Sequence, residues 1–126
     1  VNKTEQHLFE ALTEINQWEW LSLPSVRSLV GRHVYFCLAN EIMKNVEVRA
    51  GQPLKQVLFH PEFTDRAIRM KLREFEKDGL IERLPDDIDK RYRRLVPTQA
   101  LVDAIHKHAK TLRQTIEKSV YCVDKH

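Results

Sequence analysis

The stretch from Thr64 to Gly79 carries both a start and a stop for a short helix, and no other feature constrains the fold as much. Thr64 is a strong N-cap, because its hydroxyl can accept a bond from an orphan amide of the first turn. Gly79 suits the left-handed backbone that closes a helix C-terminus. Between them, the run from Asp65 to Asp78 spaces Ile68, Leu72 and Phe75 so that they share one side at about 100° per residue, while Arg66, Arg69, Met70, Arg73 and Lys77 gather on the other. Such a helix docks by its aliphatic side and presents its cations outward.

The surrounding segments give this helix a context. Gly51-Gln52-Pro53 punctuates the chain, Pro53 fits the first turn of a short helix from Leu54 to Phe59, and His60-Pro61-Glu62-Phe63 breaks it. Beyond Gly79, Leu80 to Leu84 alternates like a short strand, Pro85-Asp86-Asp87 is turn chemistry, and Arg93 to Val96 returns as a second strand. Pro97-Thr98 ends the hairpin and caps the last helix. Short helix, tight break, helix, hairpin is the order of a helix-turn-helix with a wing.

Three longer helices complete the reading. Thr4 to about Trp20 places Leu8, Leu12 and Ile15 on one face with Ala11 and Trp18 close by, and Leu23-Pro24-Ser25 ends it and caps the next. From Ser25 to about Asn45, the residues Val26, Leu29, Val30, Val34, Cys37, Leu38, Ile42 and Val46 cover most of a circumference, the mark of a buried central helix. From Gln99 to about Val123, Val102, Ile105, Ala109, Leu112, Ile116, Val120 and Val123 form a stripe of roughly 35 Å. That outruns what a small domain covers by itself, so the surplus is expected against a second copy of the chain or the N-terminal helix of that copy.

The expected fold is mostly α with a small β-hairpin wing: a winged helix-turn-helix (25–98) flanked by N-terminal (1–22) and C-terminal (99–126) dimerisation helices, in one domain. A chain of 126 residues that is 42% apolar can build one such core. Its 31% charged residues and few glycines and prolines favour helix. A net charge of +3 permits a polyanionic partner without demanding one. Cys37, inside the apolar run from Val34 to Ala39, reads as a core thiol of a reduced, cytoplasmic protein. No apolar run nears the ~20 residues of a membrane span and no leader precedes the first helix, so no membrane is expected.

An α-helix fits the major groove of B-DNA, where arginine donates two bonds to guanine and an apolar group touches the thymine methyl. Arg66, Arg69 and Met70 are placed for base edges, Arg73 and Lys77 for phosphates, and the helix N-terminus at Thr64 for a further phosphate. Lys90, Arg91, Arg93 and Arg94 concentrate four cations in the hairpin, which suits a wing lying on the backbone or dipping into the minor groove. Asp86, Asp87 and Asp89 oppose this, with Asp89 expected to pair with Arg91 or a neighbour and shape the wing. Taken alone, each charged run reads as solvated surface laced with Glu74 and Glu76; the turn before and hairpin after shift the balance to double-stranded DNA.

The stretch from Arg66 to Arg83, then Pro85-Asp86-Asp87-Ile88-Asp89-Lys90-Arg91 and Val96-Pro97-Thr98, resembles the MarR family of transcriptional regulators. The resemblance implies a homodimer with terminal helices at its interface, bound to pseudo-palindromic DNA, with Arg91 as the wing arginine and Arg66 to Arg73 facing the groove. It also leaves room for a small-molecule effector near Trp18 and Trp20, which otherwise read as buried anchors. Cys122 and His126, with His106 or His108, make only a weak metal pattern. No Gly-rich phosphate loop, G-x-S-x-G, H-E-x-x-H or paired C-x-x-C occurs, so no enzyme and no cofactor are expected. The competing readings are a winged-helix protein-protein module and a plasmid or phage replication or partition factor.

Overall fold

A computed structural model of the chain describes residues 2–44, 60–85 and 93–124. Those residues are mostly helical with one small antiparallel sheet: α1 (Lys3–Ser22), a 3-10 turn (Pro24–Arg27), α2 (Leu29–Lys44), α3 (Asp65–Lys77), β1 (Ile81–Pro85), β2 (Arg93–Pro97) and α4 (Gln99–Asp124). The expected helix from Leu54 to Phe59 and the turn residues Asp86, Asp87, Asp89, Lys90 and Arg91 lie outside the described residues. None of the helices among the described residues is long and apolar enough to cross a membrane. The chain falls into two compact units, Ser25–Ala104 and Val1–Pro24 with Ile105–His126.

In the unit Ser25–Ala104, Val34, Tyr35, Leu38 and Ile42 of α2 are buried, as are Ile68, Leu72 and Phe75 of α3, and α2 packs on α3. Ile81 of β1, Val96 of β2 and Leu101 of α4 complete the core. The strands pair from Ile81 opposite Pro97 to Pro85 opposite Arg93, so Pro85, expected in the turn, is the last residue of β1. Cys37 is half-buried at the edge of this core.

The start of α2 departs from the sequence reading. Pro24–Arg27 forms a separate 3-10 turn, and Ser28, not Ser25, caps α2: its Oγ accepts from the Gly31 amide at 3.0 Å and its carbonyl from Arg32 at 2.9 Å. The reason lies at Gly31, where a Cβ would overlap the Ser25 carbonyl oxygen and stand 2.8 Å from Ser28 Oγ. Glycine lets the turn fold back onto the first coil of the helix.

The other unit joins α1 to the later part of α4. Asn2 caps α1 by accepting from the Glu5 amide at 2.8 Å, and Ala11, Ile15 and Glu19 are its buried stripe. Leu8 and Leu12, expected to share that inward face, are about half exposed: Leu12 lies at the edge of the arc set by residues 11, 15 and 19, and Leu8 lies within that arc but nearer the helix N-terminus than Ala11, the first buried residue. In α4, Ile105, His108 and Ser119 are buried, while Val102, Ala109 and Leu112 are half-buried and Ile116 and Val120 exposed. The inward set is therefore displaced from the expected stripe, and the side chain of Val123 lies outside the described residues. His108 Nε2 stands 3.3 Å from Glu19 Oε2, an imidazole-carboxylate contact rather than an aligned hydrogen bond, and Trp18 stacks on the imidazole at 5.2 Å. Glu19 and His108 enter this interior as neighbours of each other, with Trp18 stacked on the imidazole, whereas the buried Ser119 hydroxyl has no hydrogen-bond partner among the described residues.

Replacing Gly31 with alanine is expected to lower stability by about 1–3 kcal/mol through steric overlap, read as a lower urea midpoint at unchanged slope.

Candidate nucleic-acid interface

α3 is built by its ends as much as by its faces. Thr64, in extended backbone (φ −70°, ψ 153°), accepts from the Ala67 amide through Oγ1 at 3.1 Å. At the other end Gly79 takes φ +76°, its amide donates to the Glu76 carbonyl at 3.1 Å, and Leu80 donates to the Phe75 carbonyl at 2.9 Å. These two bonds form a Schellman closure, which satisfies carbonyls the helix would otherwise leave open. Asp78 is the C-cap, so the helix ends one residue short of the expected boundary.

Thr98 ties that closure to the hairpin and to α4. Its amide donates to the Leu80 carbonyl at 2.9 Å, and its hydroxyl donates to the Gly79 carbonyl at 2.7 Å with the Leu80 carbonyl 3.1 Å away. The same oxygen lies 3.4 Å from the Leu101 amide, at the start of α4. One side chain thus sets where β2 ends relative to the end of α3.

The faces of α3 divide as its sequence requires. Ile68, Leu72 and Phe75 are buried; Arg66, Arg69, Met70, Arg73 and Lys77 are exposed. None of these four cations forms an ion pair with another described residue. Two of the nearby carboxylates are engaged elsewhere: Lys71 Nζ contacts Glu74 Oε2 at 2.6 Å, and Arg83 Nε of β1 donates to Glu76 Oε2 at 2.6 Å. Both pairs are exposed enough to add little stability, but they remove negative charge from competition for the arginines. The Lys71 pair has the local i, i+3 spacing that sequence can show. The Arg83 pair spans the helix closure and has no such signature.

The turn that feeds α3 is held by rings. His60 and Phe63 lie with centroids 4.9 Å apart, His33 of α2 stands 4.9 Å from His60 and 5.4 Å from Phe63, and His60 Nδ1 accepts from the Glu62 amide at 3.0 Å. Cys37 Sγ lies 3.7 Å from His33 Nδ1. Burial, and to a lesser degree the charge of Glu41, push the Cys37 thiol above the ordinary range. Among the described residues no group of three His, Cys, Asp or Glu side chains is arranged to hold a metal ion.

Of the remaining site candidates, Arg93 and Arg94 are in β2 with side chains outside the described set, and Lys90 and Arg91 lie outside it altogether. Trp20, expected as a buried anchor, is 57% exposed; its place on α1 lies away from the Ala11, Ile15 and Glu19 stripe. Trp18 is half-buried against His108.

Comparison with known proteins finds no family model, curated protein or solved structure that matches the chain. The chemistry of the site therefore rests on its own residues.

In a chain carrying Cys122→Ala, alkylation of Cys37 by iodoacetamide at pH 7.5 is expected to run well below the rate of a free cysteine peptide. The rate should climb with pH beyond the ordinary thiol range, because a raised pKa keeps the unreactive protonated form dominant to higher pH. A rate equal to that of the peptide would contradict the burial.

Proposed function

We propose that this chain is a sequence-specific double-stranded DNA-binding transcriptional regulator, a winged helix-turn-helix of the MarR kind that acts as a homodimer. The observation that carries this reading is the division of α3: aliphatic side chains inward, and Arg66, Arg69, Met70 and Arg73 exposed, with Glu74 and Glu76 paired to Lys71 and Arg83 instead.

In this reading α3 enters the major groove. Arg66 and Arg69 read base edges, Met70 offers an apolar surface to a thymine methyl, and Arg73 and Lys77 neutralise phosphates. The hydroxyl hydrogen and first-turn amides at Thr64 face a phosphate oxygen, since the helix N-terminus presents donors and a positive dipole end. The strands β1 and β2 carry a wing whose Lys90, Arg91, Arg93 and Arg94 follow the backbone or enter the minor groove. Two copies place two such helices one turn of DNA apart, about 34 Å, on a pseudo-palindromic site. The Thr98 bonds hold hairpin and α3 as one body, so both elements meet the duplex together.

Fluorescence titrations of duplexes at several salt concentrations test this. Affinity should fall steeply with salt, because each neutralised phosphate releases counterions. Arg69→Ala should cost about 1–3 kcal/mol on the preferred site and relax its sequence preference, whereas Arg94→Ala should weaken all duplexes alike and reduce the salt slope by about one. Binding that ignores salt and both substitutions would leave the chain as a protein-protein module.

A further inference from the structure

The net charge of the chain is concentrated on α4. Between His106 and Lys118 stand four of the 21 Lys and Arg residues but one of the 18 Asp and Glu, so the rest of the chain, with 17 of each, is neutral. Lys107, Lys110, Arg113 and Lys118, with His106 and Gln114 among them, are all exposed and belong to the unit that α1 forms with the later part of α4. At about 100° per residue they occupy an arc of roughly 140°, opposite the buried Ile105, His108 and Ser119.

These cations have no structural partner. None of the four pairs with a carboxylate of the described residues. Exposed helices are commonly laced by i, i+4 pairs of opposite charge, but on α4 no carboxylate stands between Asp103, which accepts from Gln99 Nε2 at 2.9 Å, and Glu117. Glu5, Glu10 and Glu14 of α1 are exposed in the same unit, yet Glu10 lies 3.3 Å from His7 Nδ1 and none of the three reaches these cations. We propose that this side of α4 is a second nucleic-acid surface, which holds the phosphodiester backbone of duplex DNA without reading its sequence. The inference rests on the proposed function for the identity of the polymer, and it adds a contact that α3 does not make.

Charge and length select the occupant. From Lys107 to Lys118 the stripe rises about 16.5 Å at ~1.5 Å per residue, and a strand of a duplex presents one phosphate every ~3.4 Å of axis, so about five lie alongside it. Lysine meets a phosphate as a point charge, arginine can bond two of its oxygens, and glutamine adds a neutral donor. An acidic protein partner calls for aromatic or aliphatic anchors at the centre of the contact, and lysine is depleted from such interfaces. A lipid surface calls for an apolar side to insert, but Ile105 is buried within the chain, Leu112 is half-buried, and the exposed Ile116 and Val120 are too few.

Fluorescence anisotropy of a labelled duplex of random sequence, titrated with the full chain at several salt concentrations, tests this. Lys107→Gln with Lys110→Gln should reduce the log-log salt slope by about two, since each neutralised phosphate contributes ~0.9, and should keep the preference for a selected site over the random duplex. Lys3→Gln with Lys44→Gln, an equal loss of charge at exposed positions elsewhere, should leave the slope unchanged. Arg66→Ala with Arg69→Ala should do the reverse of the α4 variant and remove the preference while salt-dependent binding of the random duplex persists. A slope unaltered by the α4 variant, or lowered equally by both lysine variants, overturns the stripe and leaves the α3 reading in place. Vesicles of phosphatidylserine and phosphatidylcholine that bind the parent but not the α4 variant, with the duplex slope unaltered, assign the surface to lipid and likewise overturn it. A parent chain that binds no duplex at any salt concentration overturns both.

Discussion

Burial of Ile68, Leu72 and Phe75 is the interaction on which the arrangement of α3 depends. Each such side chain is worth roughly 1.5–3 kcal/mol when fully removed from water, whereas an exposed charge pair is worth about 0–1 kcal/mol. The packing of the helix is therefore carried by its aliphatic side, and the opposite side is free of structural duty. Arginines can occupy that side without cost to the fold. In the proposed reading this separation makes recognition adjustable while the scaffold stays constant.

Rigid attachment of the hairpin follows from a smaller set of bonds. Thr98 closes the end of β2 onto the carbonyls of Gly79 and Leu80, the residues that complete the α3 closure. Hydrogen bonds of this kind add about 0.5–1.5 kcal/mol each, yet their geometry decides which way β1 and β2 leave the helix. Upstream, His33, His60 and Phe63 hold the turn before α3 against α2. The helix is thus tethered at both ends as well as along its inner side.

The helix pair of the other unit obeys a different logic. Its interior admits Glu19, His108 and Ser119, and its exterior keeps Phe9, Trp20 and Leu21 in solvent. Three polar side chains thus share an interior with Ala11, Ile15, Leu23 and Ile105, while several large apolar side chains stay outside it. Leu8 and Leu12 lie near Ile15 on a helical wheel yet stay half exposed, while Glu19 is buried on the same side against His108, on which Trp18 stacks.

Local chemistry made much of this molecule legible. Thr64, Gly79, and the period of Ile68, Leu72 and Phe75 act within a few residues of one another, so the limits and sidedness of α3 could be read from the chain, and so could the pairing of β1 with β2. Contacts between distant residues could not. The shift of the α2 cap from Ser25 to Ser28 depends on the close pass that Gly31 permits, the Arg83-Glu76 bond spans the closure of α3, and the choice of Glu19 over Leu12 depends on what α4 presents to α1. Periodicity determined which sides of each helix were apolar; only tertiary packing decided which of those sides was covered, because burial depends on the surface that arrives opposite and not on the residues alone.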